Sequence, residues 1–158
     1  MSLLPLAEHV AETLDVGPGT RVFEVDCGDG AFLIPLHENG YIVGGIDSDA
    51  AAISRASGAM PDGIFQIGSA NALDPAVPWD VVICPSFGHS KDTDFMRGVL
   101  ARMFAKATHA IAVLDLPDDR RQWIVHALAE IGAQAIQIEN ATIGDTRSQD
   151  GFHAFARI

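Results

Sequence analysis

The sequence predicts a doubly wound α/β domain, in which helices cover both faces of a sheet. Short apolar runs, the pattern of strands buried on both faces, alternate with segments whose apolar residues recur at helical spacing. Strand and helix alternate along the chain, and two strands follow each other at its end, which is typical of a doubly wound sheet. At 158 residues the chain has the length of one domain, 1–158, with one core.

The first half of the chain is predicted to begin with an amphipathic helix over 3–14, because Leu3, Leu6, Val10 and Leu14 fall on one face. The elements that follow are strand 21–26, helix 31–39 closed by Gly40, strand 41–46, a helix capped by Ser48 and ended by Gly58, and strand 64–67. Serine is a preferred N-cap residue, and glycine commonly follows the last turn of a helix.

The second half is predicted to continue the alternation with strand 79–84, helix 92–106, strand 109–115, helix 118–131 and strands 133–140 and 152–157. A polar loop, 141–151, joins the last two strands. Apolar residues at helical spacing define the inward face of each helix. These residues are Phe95, Val99, Met103 and Phe104 in the first helix, and Trp123, Ile124, Ala127, Leu128 and Ile131 in the second, which Gly132 stops.

Composition and charge exclude several classes of function. The net charge is −11 and the ten basic residues are scattered, so no basic surface is predicted for nucleic acid. No apolar run is long enough to span a membrane, and the N-terminus lacks the features of a signal peptide. Two cysteines, Cys27 and Cys84, fit a reduced cytoplasmic chain. The histidines show no ligand spacing, so no metal site is predicted.

Residues 22–56 carry most of the functional information. A predicted strand reaches an acid, Glu24, passes through a turn with Gly28 and Gly30, and leads into a helix, and the next strand is followed by Asp47. Such a turn lets backbone N–H groups approach a ligand, and the second acid suits a ribose diol. Because these positions carry acids and no basic residue, they favour an adenosine-type ligand with a cationic tail.

This segment resembles the first motif of class I S-adenosylmethionine-dependent methyltransferases, and the resemblance extends over essentially the whole chain. The family has an acid, a Gly-x-Gly-x-Gly turn and a helix, which appear here as Glu24-Val25-Asp26-Cys27-Gly28-Asp29-Gly30. The acid that holds the ribose hydroxyls in the family matches Asp47. The resemblance implies a Rossmann-like seven-stranded sheet, mostly parallel with the last strand antiparallel. It also implies S-adenosyl-L-methionine as cofactor and a small-molecule methyl acceptor.

The resemblance implies a role for each matching residue. Glu24 would contact the methionine ammonium, Gly28 and Gly30 would let the chain approach the cofactor, and Asp47 would hold the ribose. The other cofactor contacts that it implies involve Asp26, Cys27, Ser48, Ser69, Ala70, Asn71 and Cys84.

Two positions depart from the family pattern. Asp26 stands where the family has the first glycine of its turn, and Ser69, with Asn71 near it, stands where the family usually has an acid for the adenine amino group. The carboxylate of Asp26 suits an ammonium or sulfonium but occupies space near the methionine moiety. Ser69 and Asn71 can each accept a hydrogen bond, more weakly than a carboxylate, and an ordinary turn explains them equally well.

The segment after the fourth strand, 84–90, is the place where chemistry is expected. It is similar to the post-strand-four segments of small-molecule methyltransferases. Phe87 is a candidate for stacking on substrate or adenine, and His89 is the candidate general base. A histidine that only hydrogen-bonds its own loop is the alternative for His89. Asp115, at the tip of the fifth strand, is a candidate for substrate binding or a cap for the next helix.

The same residues bear on two alternatives to a methyltransferase. A dinucleotide fingerprint requires a last glycine where Leu33 stands, and the carboxylates of Asp26 and Asp29 would repel a pyrophosphate. A degenerate methyltransferase fold that binds the cofactor weakly and serves as a partner subunit is the second alternative, supported by Asp26 and Ser69. Because no lid segment is predicted, the pocket is expected to be open or to be completed by another chain, and a homodimer is the hypothesis for closing it.

Overall fold

The computed structural model describes residues 4–85, 92–141 and 151–158; the side chains of Leu4 and Pro5 are not part of this description. Its helices are α1 (Leu4–Thr13), α2 (Leu33–Glu38), α3 (Ala50–Ala59), α4 (Thr93–Lys106) and α5 (Arg121–Glu130). Its strands are β1 (Arg21–Val25), β2 (Ile42–Asp47), β3 (Ile64–Ile67), β4 (Trp79–Cys84), β5 (Ala107–Pro117), β6 (Gln134–Asn140) and β7 (Gly151–Arg157). Short 3₁₀ turns lie at Ala70–Ala72 and Asp118–Arg120.

The seven strands form one sheet in the order β3-β2-β1-β4-β5-β7-β6. The pairs from β3 to β5 are parallel, and β7 is antiparallel to both of its neighbours, β5 and β6. The sequence-based prediction of a doubly wound, mostly parallel sheet with an antiparallel last strand is therefore confirmed. Because the chain moves outward from β1 through β2 and then returns to β4, the strand order reverses between β1 and β4. Ligands of such sheets bind beyond the carboxyl ends of the strands at that reversal.

Both faces of the sheet are buried. One apolar cluster lies against α4 and α5 and includes Phe23 and Phe152, and the other lies against α1 and α2 and includes Val22 and Phe155. Neighbouring residues of one strand thus belong to different clusters, as the alternation of side chains along a strand requires. No helix in the part of the chain that the structure describes is long and apolar enough to cross a bilayer.

Several boundaries differ from the sequence-based prediction. The N-cap of α3 is Asp49 and not Ser48, because the Asp49 side chain accepts hydrogen bonds from the Ala51 and Ala52 amides. Helix α2 begins at Leu33 rather than near residue 31, helix α3 continues past Gly58 to Ala59, and β5 runs longer at both ends, over Ala107–Pro117.

The inward faces of two helices were only partly predicted. Phe95 is 38% exposed, and its neighbour Met96 is buried with Val99, Leu100 and Met103. A register shifted by one residue satisfies helical spacing equally well, so spacing alone could not choose between them. In α5, Ile124, Ala127 and Leu128 are buried as predicted, whereas Trp123 and Ile131 are only partly buried against the same cluster.

Candidate functional site

Glu24 occupies the centre of the candidate site. It lies on β1, paired with Gly45 of β2 and with Ile83 of β4, directly at the reversal of strand order. The residue is 3% exposed, and its Oε2 is buried without a hydrogen-bond partner among the described residues. A buried carboxylate oxygen without a partner is costly, so this position requires either a proton or a ligand.

The electrostatic surroundings of Glu24 are acidic. Burial raises the pKa of Glu24 well above its usual range, and the neighbouring carboxylates of Asp29, Asp47 and Asp26 raise it further. Each of these effects disfavours the charged form of Glu24. A cation bound here would reverse the balance, because its charge would stabilise all of these carboxylates together.

The turn after β1 has the backbone conformation that its sequence suggests. Asp26, Gly28 and Gly30 have φ angles of +57°, +55° and +80°, and the Cys27 amide donates to the carbonyl of Ile46 at 3.1 Å. A Cβ on Gly30 would lie 2.6 Å from Cε of Met60, whereas a Cβ on Gly28 would meet nothing within 4 Å. Gly30 therefore serves close packing, and Gly28 leaves open space beside the turn.

Asp26 is the unusual member of this turn. The left-handed conformation favours glycine and is tolerated by aspartate at some cost. Burial raises the pKa of the Asp26 carboxyl, and Asp47 raises it further. The sequence showed a departure from the glycine pattern at this position, and the structure shows that the departure keeps the glycine-like backbone.

Asp47 joins the turn to the tip of β2. Its Oδ2 accepts a hydrogen bond from the Gly28 amide at 2.8 Å, and its Oδ1 accepts one from the Asp49 amide at 2.9 Å. The carboxylate is only partly buried, so it can still receive further donors. The structure thus brings together Glu24, Asp26, Gly28 and Asp47, four of the residues predicted to bind the cofactor.

Cys27 faces the sheet. Its Sγ donates to the carbonyl of Gly28 at 3.6 Å, and a Cβ on Gly45 would lie 2.7 Å from that sulfur. Burial raises the pKa of the Cys27 thiol to about 12, with Glu24 and Asp47 adding to the effect. The thiol is therefore neutral at physiological pH and is no nucleophile.

The residues predicted to contact adenine lie beside Asp47. The Gly68 amide donates to the carbonyl of Asp47 at 2.9 Å, which fixes the 3₁₀ turn at Ala70–Ala72 next to the acid. Ser69 and Asn71 are exposed, Ala70 is buried, and the Ser69 hydroxyl donates to Oδ1 of Asn71. Ser48 lies between Asp47 and the cap residue of α3 and is exposed at the same edge.

The other predicted residues are distributed along the same edge of the sheet. Cys84 ends β4 and is 1% exposed within the apolar cluster. Phe87 and His89, the predicted substrate and base residues, lie outside the described residues. Asp115 lies near the end of β5, and its amide donates to Nδ1 of His153 on β7 at 3.2 Å. Sequence analysis missed His153, because only the antiparallel pairing of β5 with β7 places it beside Asp115.

Comparisons with known proteins identify the fold. No protein-family model matches the sequence, and no curated protein matches it either. Solved structures do match. One is an amino pentose methyltransferase of calicheamicin biosynthesis from Micromonospora echinaspora with bound S-adenosylmethionine, with a TM-score of 0.83 and 15% identity over 100% of this chain and 92% of that chain. The fold is that of the class I methyltransferases.

Two further methyltransferases have the same fold. The magnesium protoporphyrin IX methyltransferase of Synechocystis, with bound S-adenosylmethionine, has a TM-score of 0.74 and 17% identity over 98% of this chain and 77% of that chain. A TehB-like S-adenosylmethionine-dependent methyltransferase of Corynebacterium glutamicum has a TM-score of 0.76 and 14% identity over 99% and 86% of the two chains. At these identities the comparisons establish a methyltransferase fold for this chain.

Proposed function

We propose that this chain transfers the methyl group of S-adenosylmethionine to a small molecule. The observation that carries the proposal is the position of Glu24, a buried acid with an unpartnered oxygen at the strand-order reversal of a methyltransferase fold. Solved neighbours of this fold contain S-adenosylmethionine or S-adenosylhomocysteine. A ligand with a positively charged methionine end satisfies the acidic surroundings of Glu24 better than a phosphate-bearing one.

Different residues of the site would contact different parts of the cofactor. Glu24 and Asp26 would face the ammonium and sulfonium end, where their negative charge is most useful. Gly28 would allow close approach of the chain, since no atom lies within 4 Å of the place of its missing Cβ. Asp47 would accept the ribose hydroxyls while it holds the turn, and Ser69 or Asn71 would accept the adenine amino group. Cys27, Ser48, Ala70 and Cys84 would line the same site.

The chemistry requires little further machinery from the protein. Bound S-adenosylmethionine would supply an activated methyl group on its sulfonium, open to direct displacement by the acceptor with return of the bonding electron pair to sulfur. The chain contributes positioning and exclusion of water. His89 remains our predicted general base for an acceptor that must lose a proton. Phe87 remains our predicted residue for stacking on the substrate.

A small acceptor is proposed rather than a nucleic acid. The net charge of −11 and the scattered basic residues disfavour nucleic acid. Both cysteines lack a disulfide, which supports the cytoplasmic location that we propose.

A methyl-transfer assay tests this function. The purified chain is incubated with methyl-labelled S-adenosylmethionine and the low-molecular-mass fraction of a cell extract, and products are separated by mass spectrometry. We expect label in a small molecule together with S-adenosylhomocysteine, and no label with Asp47→Ala. Binding of the cofactor without any transfer would instead support the alternative of a non-catalytic subunit.

A further inference from the structure

An irregularity in the pairing of β5 with β7 changes the direction of the chain at Asp115. Val113 pairs with Ala154 and Leu116 pairs with Phe152, so Leu114 and Asp115 together lie opposite His153 alone. This is a β-bulge, a feature that re-aims a side chain and is common next to active sites. Asp115 has a φ angle of +54°, in a region that residues with a side chain adopt at a cost.

His153 supports the bulge from the neighbouring strand. It is 1% exposed, and its Nδ1 accepts the hydrogen bond from the Asp115 amide at 3.2 Å. A ring nitrogen that accepts a hydrogen bond carries no proton itself. The backbone of Asp115 is therefore held by a buried side chain of the neighbouring strand.

The surroundings of the Asp115 carboxylate suit a cationic ligand. The residue is partly buried, and its Oδ1 is buried without a hydrogen-bond partner in the part of the chain that the structure describes. No ion pair involving Asp115 occurs among the described residues. Removing part of a carboxylate from water without replacing its hydrogen bonds is unfavourable, so a positive charge at its accessible side would be stabilising.

Asp115 also lies at the right place for a second ligand. Glu24 is level with Ile83 on β4, and Ile83 is level with Ala112 on β5. Asp115 is thus two strands away from Glu24, a separation of about 10 Å across the sheet at ordinary strand spacing. It is also three residues nearer the carboxyl edge, a separation of about 10 Å along the strand direction. The two acids lie on opposite sides of the end of β4, which leaves room for the cofactor at Glu24 and an acceptor at Asp115.

We propose that Asp115 is a specificity-determining residue that binds a positively charged amino group of the methyl acceptor, with His153 as a positioning residue. This inference rests on the proposed methyl-transfer function and adds the substrate class. An ammonium is favoured over a hydroxyl because charge-assisted hydrogen bonds are the stronger kind. The acidic net charge of the chain also attracts cationic ligands over neutral ones.

Two matched probes test the proposal. Protein saturated with S-adenosylhomocysteine is titrated with benzylamine and with benzyl alcohol, and binding is followed by NMR through the backbone amides of Asp115 and His153. We expect benzylamine to bind more tightly than benzyl alcohol. Asp115→Asn should weaken benzylamine binding about tenfold and leave benzyl alcohol unchanged, since asparagine also tolerates the left-handed conformation. Asp119→Asn, at an exposed acid on the same edge, is the control and should change neither.

Variants of His153 separate positioning from a purely structural role. His153→Gln retains an acceptor for the Asp115 amide and should keep the preference for benzylamine. His153→Leu has no acceptor and should lose that preference even under conditions in which it remains folded by circular dichroism. If His153→Gln and His153→Leu both weaken the binding of benzylamine and of benzyl alcohol to the same extent, the positioning role is overturned.

The outcomes distinguish this inference from the function on which it rests. If calorimetry shows that S-adenosylhomocysteine binds but benzylamine and benzyl alcohol bind equally, or neither binds, the assignment of Asp115 is overturned and the methyl-transfer proposal stands. If S-adenosylhomocysteine itself does not bind, both are overturned.

Discussion

The backbone amide of Gly28 donates a hydrogen bond of 2.8 Å to Oδ2 of Asp47, which joins the turn after β1 to the tip of β2. The other oxygen of the same carboxylate accepts from the Asp49 amide at 2.9 Å. The acid proposed to hold the cofactor ribose therefore also orders the turn that approaches the cofactor, so its loss affects both.

Asp47→Asn should reduce both stability and binding. An asparagine has one carbonyl oxygen and can satisfy only one of the two backbone amides, so we expect the free energy of unfolding to fall by about 1–2 kcal/mol. Urea denaturation measures this change, and calorimetry should show at least about a tenfold loss of affinity for S-adenosylhomocysteine. Asp49→Asn is the matched control, because asparagine caps a helix as well as aspartate does. Unchanged binding in Asp47→Asn would contradict the ribose role.

Asp26→Asn should weaken cofactor binding without destabilising the fold. Asparagine tolerates the positive φ of this position but carries no charge for the ammonium or sulfonium. We expect a several-fold loss of affinity for S-adenosylmethionine in calorimetry and a Tm no lower than that of the wild type, since the pKa of the Asp26 carboxyl is raised in the folded state. Asp15 has a similar φ of 55° and is exposed away from the turn, so Asp15→Asn should leave the affinity unchanged. Tighter binding in Asp26→Asn would show that the carboxylate obstructs the site.

Alanine substitutions at the two glycines should separate binding from stability. Gly30→Ala places a Cβ 2.6 Å from Cε of Met60 at a φ of +80°, so we expect it to cost about 1–3 kcal/mol of unfolding free energy. In Gly28→Ala the new Cβ meets no atom within 4 Å, so the cost is that of a side chain at positive φ, about 1–2 kcal/mol. Gly28→Ala should nevertheless lose cofactor binding, because its Cβ occupies the space beside the turn. Full binding by a folded Gly28→Ala would show that no ligand approaches there.

Glu24→Gln should stabilise the ligand-free protein at high pH and weaken cofactor binding. Because the pKa of Glu24 is raised in the folded state, the folded chain holds a proton that the unfolded chain releases. The stability linked to this group is complete below the unfolded pKa, about 4.3, and is lost as the pH rises through the raised folded pKa. Glutamine does not titrate and avoids that loss.

Thermal unfolding from pH 5 to pH 9 measures this difference. We expect the Tm of Glu24→Gln relative to the wild type to increase with pH, while calorimetry shows at least about a tenfold weaker binding of S-adenosylmethionine. Glu38→Gln, at an exposed glutamate of α2, should follow the wild type. A constant difference in Tm across this range would contradict a raised pKa at Glu24.

The order of the elements and the placement of two acids could be predicted from the sequence. Buried parallel strands appear in the sequence as apolar runs, and glycines mark the turn that follows the first of them. These two signals predict Glu24 and Asp47 near the ends of neighbouring strands. The cap of α3 is one residue later than predicted: Ser48 and Asp49 are both good N-cap residues, and it is the Asp49 side chain that accepts hydrogen bonds from the Ala51 and Ala52 amides.

The part of the site around Asp115 could not be predicted. Its positive φ and its contact with His153 depend on the register of the antiparallel pair β5 and β7, whose strands are separated in the chain by α5 and β6. No local pattern in the sequence reports that register. Ala135 has a positive φ of 48° at a similar irregularity between β6 and β7, and the sequence gives no signal for it either.

Calorimetric titration of the purified chain with S-adenosylhomocysteine, with Asp47→Ala alongside, tests the central claim most directly. The account predicts binding in the micromolar range for the wild type and at least about a tenfold loss in the variant. Absence of heat at millimolar ligand with the wild type, or equal affinity in the two proteins, would contradict a cofactor site at the reversal between β1 and β4.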